Sequence, residues 1–276
     1  MSETRSIELT LEPAEREANV LWRITRGPLV SLAVIAAVIV AWEVCARAFQ
    51  IPDFILPAPS KVWRDTAEIG WDLVGHAEAT LGTILAGYAI AFALSLPFAI
   101  ALSSSRLLSA ALYPLLIIKQ SVPVVALAPI LIVILGAGAA PRITITVLIA
   151  LFPMVVSTAT GLANTPKEFV ELSQALGATR WRCLVDLRLP AAVPYIFSGA
   201  KISMTLSVVG AVVGEFVAAE RGLGYLIYTS TAYFHVSVAF GAMIVLSCFG
   251  LVLFQSVSLI ERWFFPWAAT ENVYGN

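Results

Sequence analysis

The feature that most constrains this chain is a series of apolar runs, each near or above 20 residues, separated by short polar stretches. About 20 apolar residues in a helix cross the roughly 30 Å hydrocarbon core of a bilayer. Six runs qualify, at about 28–47, 80–103, 107–136, 142–163, 191–218 and 236–260, so the expected fold is an all-α polytopic membrane protein. Composition agrees, with 59% of residues hydrophobic and 13% charged, against about 25% charged in soluble domains. A net charge of −1 provides no basic surface for nucleic acid.

Residues 1–27 mix Glu3, Glu8, Glu12, Glu15 and Glu17 with Arg5, Arg16, Arg23 and Arg26. This stretch is too polar and too long for the start of a signal peptide, and no small-residue cleavage site follows the first apolar run. It is read as a tail, with 28–276 as the membrane domain and its core at about 77–261. Six spans put both termini on one side. Taking that side as cytoplasmic, Arg5, Arg16, Arg23, Arg26, Arg106, Lys167, Arg180, Arg182, Arg188 and Arg262 lie inside, and Arg47, Lys61, Arg64, Arg142 and Arg221 outside. The inner excess predicts cytoplasmic termini. Cys45, Cys183 and Cys248 are widely spaced in or beside apolar runs, as packing residues are.

Before the second span, Pro52, Pro57 and Pro59 interrupt helix. Val62, Trp63, Ala67, Ile69, Leu73 and Val74 then interleave with charged residues, the pattern of a short amphipathic helix on the outer surface or, as the alternative, of a solvated loop helix. Within the second span, Gly82, Ala86, Ala89 and Ala93 approximate one small-residue face, which predicts close packing inside the subunit, with a seam between two copies as the alternative.

The third span is interrupted by Pro114, Pro123 and Pro129, and Pro123 deprives the Lys119 carbonyl of its helical partner. Backbone freed in this way is tolerated at membrane depth only beside protein or water. Lys119, Gln120, Ser121 and Pro123 are therefore candidates for a substrate path; the alternative is a kinked packing helix whose Lys119 reaches an interface. Ser203 and Ser207 add hydroxyls to the candidate path in the fifth span. Glu215, near its outer end, either orients an outer gate or bonds a neighbouring helix.

Between the fourth and fifth spans, residues 164–190 turn polar. Thr165 is placed to cap a helix that has Pro166 at its first position and Glu168 closing a capping box. Gly177 is suited to a left-handed C-cap. Arg180 opens a second short helix, which Leu189-Pro190 is expected to end. The spacing of Glu171, Gly177 and Leu189-Pro190 resembles the EAA loop of bacterial ABC importer permeases: Glu-Ala-Ala, three residues, Gly, nine residues, Ile, one residue, Leu-Pro. Leu172, Ser173 and Leu187 depart from that pattern. The likeness extends through Leu-Pro-Ala-Pro-Ser at 56–60, Leu-Ala-Pro at 127–129 and Gly-Leu-Gly-Tyr-Leu-Ile at 222–227. It points to the permease group of nitrate, sulfonate, taurine and thiamine-pyrimidine or riboflavin importers.

That resemblance implies a type I importer permease fold in a bacterial inner membrane, working as a homodimer. It implies a coupling helix from Glu168 to Leu176, including Ala175, that docks into a cytoplasmic ABC ATPase dimer, and a solute-binding protein on the far side. ATP and magnesium would sit on the ATPase, and this chain would bind no cofactor and be no enzyme. The residues agree: Lys61, Lys119, Lys167 and Lys201 follow Ser60, Ile118, Pro166 and Ala200, so none is the lysine of a phosphate-binding Gly-Lys loop. His76 and His235 are too isolated for a catalytic or metal pair. The rival class is an ion-coupled secondary transporter using Glu215, Lys201 and Lys119.

Overall fold

The computed structural model describes residues 13–104, 107, 108, 110, 111, 114, 118 and 123–271, with side chains between residues 30 and 268. Among the described residues every regular element is helical. The expected tail and first span form one helix, α1 (Pro13–Ala48). After a proline-bounded turn come α2 (Pro59–Ile69) and α3 (Trp71–Ser104). The amphipathic segment is thus shorter than its pattern implies: Gly70, at φ 60°, breaks the chain, and Leu73 and Val74 already belong to the second span.

Of the third expected span, α4 (Val124–Leu135) is described, with Pro123 in extended conformation just before it. Lys119, Gln120 and Ser121 lie outside the described residues. There follow α5 (Ala139–Ala163), α6 (Lys167–Ala175), α7 (Arg180–Ala218), α8 (Leu223–Ala232), α9 (Val236–Phe264) and α10 (Pro266–Glu271). Five of these helices are long and apolar enough to cross a bilayer, in α1, α3, α5, α7 and α9.

Helices α5 and α7 form the centre, with α3 against α5. Their approach is set by small residues on α7. A Cβ on Gly210 would lie 2.8 Å from the Thr146 Cα, and one on Gly214 would lie 2.9 Å from the Arg142 Cα. The buried face of α3 is Thr80, Thr83, Ile84, Gly87, Ala91, Ser95 and Ala99. Gly82, Ala89 and Ala93 are exposed, so the small-residue face expected to pack inside the subunit points away from it. Above and below this seam, Ile84, Met154, Met204 and Val257 fill one apolar cluster, and Ala99, Leu162, Leu184 and Ala192 a second.

The seam gives a direct test. Gly210→Val should cost about 1–3 kcal/mol by overpacking against backbone that cannot yield, whereas Gly82→Ala, in open space, should stay within about 0.5 kcal/mol. Thermal unfolding of the two purified variants in detergent separates them, and equal melting points would contradict the seam.

At the end of the molecule away from α6, α1 and α2 are joined by a polar clasp. The Ser60 N–H and hydroxyl donate to the Glu43 carboxylate at 2.9 and 2.8 Å, and Arg47 pairs with the same carboxylate at 2.5 Å. Glu43 thereby caps the start of α2 from another helix, where an anion is favoured by the helix dipole. Asp65 on α2 accepts a hydrogen bond from Ser237 at the start of α9.

Candidate functional site

The polar segment after α5 forms a short helix and a turn held by backbone hydrogen bonds. α6 begins at Lys167, one residue later than the capping box requires. Thr165 is then out of reach of the third helical N–H, and its hydroxyl donates to the Leu162 carbonyl at 3.4 Å instead. The far end follows the sequence reading. Gly177 has φ 82°, its N–H donates to the Gln174 carbonyl at 2.9 Å, and the Ala178 N–H donates to the Ser173 carbonyl at 3.0 Å. These two bonds make a Schellman termination, which needs a residue that tolerates the left-handed region.

Nothing on α6 is buried, Ala175 included. Glu168 and Glu171 are exposed, and Glu171 carries no hydrogen bond or ion pair among the described residues. Phe169, Leu172 and Leu176 are 57%, 57% and 80% exposed. At spacings of three and four they share one helix face, an apolar stripe left exposed among the described residues.

The second short helix does not end at Leu189-Pro190. It starts at Arg180 with the Thr179 hydroxyl accepting from the Arg182 N–H, widens into a π segment over Cys183–Arg188, and runs on as α7 through Pro190 to Ala218. A proline in α-register lacks the N–H for the carbonyl four residues back, and its ring strikes that carbonyl. The wider turn, with the Leu189 N–H on the Leu184 carbonyl, removes the collision, so the helix passes through. Any displacement of the segment is therefore carried into the span without an intervening loop.

Ser203 and Ser207 are fully buried. Their hydroxyls donate at 2.8 Å to the Ala150 and Ser203 carbonyls, so they are seam residues and present no surface to a path. Glu215 is also buried, at 1% exposure. At the start of α8 three successive N–H groups find acceptors on other helices. Gly222 donates to His76 Nδ1 at 3.0 Å, Leu223 to Thr80 Oγ1 at 2.7 Å and Gly224 to Glu215 Oε2 at 2.8 Å. The Thr80 hydroxyl in turn donates to Glu215 Oε2 at 3.0 Å. A Cβ on Gly222, at φ 138°, would collide with the Glu215 carboxyl group, which explains glycine at that position.

Comparison with known proteins decides what this arrangement belongs to. Residues 91–269 match the family model of the binding-protein-dependent transport system inner membrane component. The chain belongs to that family. A probable ABC transporter permease protein of Haemophilus influenzae is 36% identical over 86% of this chain and 96% of its own length. The formylaminopyrimidine transport permease of Halalkalibacterium halodurans is 32% identical, covering 83% of this chain and 91% of the relative. The riboflavin transport system permease of Chloroflexus aurantiacus is 33% identical, covering 84% and 87%. The taurine transport system permease of Escherichia coli is 24% identical, covering 89% and 92%. In structure, the chain is similar to the methionine ABC transporter MetNI in an inward-facing conformation, with a TM-score of 0.64 and 23% identity over 71% of this chain and 97% of that one. The protein is thus a multi-pass membrane permease subunit of an ABC importer with the type I fold, and not itself an enzyme.

In this permease two of the three charges that a gradient-driven mechanism would use, Lys201 and Glu215, have partners among the described residues, and Lys119 lies outside them. Lys201 on α7 pairs with Glu261 on α9 at 2.5 Å, with side-chain exposures of 18% and 3%. Glu215 is held by the start of α8. Sequence reasoning set His76 aside as isolated, yet His76 and Thr80 sit one turn apart on α3 and face the same helix start. Their signal was the glycine-bounded start of α8, whose first N–H groups need acceptors.

Removing the acceptor tests the clasp. Glu215→Leu leaves the Gly224 N–H buried and unpaired, at an expected cost of about 1–3 kcal/mol, while Glu215→Gln retains a carbonyl acceptor and should lose less. Melting points of the purified permease check this ordering, and a Leu variant as stable as wild type would refute it.

Proposed function

We propose that this permease works as a homodimer with both termini in the cytoplasm, and that a separate ATPase pair drives it by docking on α6. The apolar face of Phe169, Leu172 and Leu176 carries this reading. It stands out from the chain on a helix too short to bury its own face, and amphipathic helices of this kind dock into grooves of partner proteins. Glu171, unpaired among the described residues, is left available to that partner. ATP and magnesium belong to the ATPase, since no lysine here follows a glycine in a phosphate loop.

The solute, delivered by a binding protein, is a small and largely uncharged heteroaromatic of the formylaminopyrimidine or riboflavin kind. Support comes from the relatives named for those solutes, which are 32% and 33% identical against 24% for the taurine permease. The electrostatics agree, because Lys201, the lysine within the described spans, is neutralised by Glu261 and leaves no ammonium there for a permanent anion.

Calorimetric titration of the cognate binding protein tests the solute class. Tight binding of a pyrimidine or flavin, with no response to taurine, alkanesulfonates or nitrate, is expected. The opposite pattern would assign the permease to the anion importers.

A further inference from the structure

The end of the molecule that carries α6 has a second feature, a cavity of about 680 Å³ between the last turn of α3 and the first turns of α7. Arg180 and Arg188 line it with Ser103, Ser104, Trp181 and Leu184. Neither arginine has an ion pair or a side-chain hydrogen bond among the described residues, and no acidic side chain lines the cavity. Elsewhere Arg47, Lys61 and Lys201 are each matched to a carboxylate. The serine protons are already donated to the Ile100 carbonyl, at 3.0 and 2.6 Å, so the guanidinium groups supply the positive field.

The cavity is also amphipathic. Leu184 forms an apolar, buried floor, while the Trp181 ring stands 70% exposed beside it. Both α3 and α7 are membrane-spanning helices, and this is where one ends and the other begins. It is the level at which tryptophan and basic residues meet lipid headgroups.

We propose that this cavity binds the phosphodiester of an anionic phospholipid from the leaflet at that face. Arg180 and Arg188 hold the phosphate oxygens through their planar donor forks, and the acyl chains descend along the apolar surface beside Leu184. The apolar floor is what selects a lipid over a free anion. A lipid seated there braces the root of α7 next to α6. The proposal rests on α3 and α7 being spans and does not require the ATPase or the solute assignment.

The test uses the full-length permease purified in neutral detergent and titrated with phosphatidylglycerol or phosphatidylcholine, with bound lipid counted by native mass spectrometry. Wild type should prefer phosphatidylglycerol. Arg180→Gln with Arg188→Gln should weaken that binding about thirtyfold, and Arg180→Lys with Arg188→Lys should fall between. Arg262→Gln, on α9 and outside the cavity, should change nothing. Equal affinity of wild type for the two lipids overturns the proposal even if a variant fails to fold. Undiminished binding by the folded double Gln variant also overturns it, as does displacement of the lipid by inorganic phosphate at equal concentration, which would indicate a free-anion site. No ATPase or binding protein enters the assay, so its failure leaves the proposed function standing, and loss of ATPase docking would leave this site standing.

Discussion

Replacing Leu172 with aspartate should abolish uptake while leaving the permease in the membrane at its normal level. Leu172 lies mid-face on α6, 57% exposed and flanked by Phe169 and Leu176. Because Leu172 is largely exposed among the described residues, the substitution costs the permease itself little. A groove that receives this face would instead have to take up an unpaired carboxylate, and central apolar anchors of interfaces are each worth about 2 kcal/mol or more. Adding the buried charge should weaken ATPase association at least about a hundredfold. Co-purification of the ATPase with membranes of known permease content reads this directly. Wild-type association by the variant would remove α6 from the docking surface. Gly177→Val should act in the same direction, since φ 82° strains a β-branched residue and would swing α6 away from its present angle.

The second large effect concerns the pair between Lys201 and Glu261. Both side chains are mostly withdrawn from solvent, and their contact at 2.5 Å joins the middle of α7 to the C-terminal end of α9. Removing one partner leaves the other charged and buried, at a cost of about 3–5 kcal/mol. Lys201→Met and Glu261→Met should therefore each destabilise the permease strongly, and the double variant should regain most of the loss, because an apolar pair of similar volume is close to neutral. A double-mutant cycle on melting points measures the coupling. Additive losses would show that the two residues do not act as a pair.

The spans were readable because an apolar run of sufficient length has few alternatives. The start of α3 was hidden, since Asp72, His76 and Glu78 lower the hydropathy of a stretch that is nevertheless helical. Gly177 could be read because its role depends only on its neighbours. The Leu189-Pro190 stop could not be trusted, since a proline ends a helix only in α-register and the π segment changes the register just before it. Small residues on α3 occupy more than one face, so composition did not reveal which face meets α5. The Lys201 pair and the three caps on α8 join residues remote in sequence, and no local pattern announces such partners.

The sparse packing of α1 bears on how the protein is made. Its apolar part, Val30–Ala48, is the least covered of the spans, with 6% of its window buried against 28–44% for the others. Synthesis runs from the N-terminus, so α1 leaves the ribosome before any helix of the core exists. Its residence in the bilayer depends on its own partitioning into lipid, and it can be integrated early without waiting for company. The polar clasp from Glu43 to Ser60 closes as soon as α2 emerges, whereas the α5–α7 seam must await nearly the whole chain. A ribosome stalled after α2 would therefore display the clasp closed but the contacts of α2 with α9 still to be made, and one stalled before α7 would lack the seam.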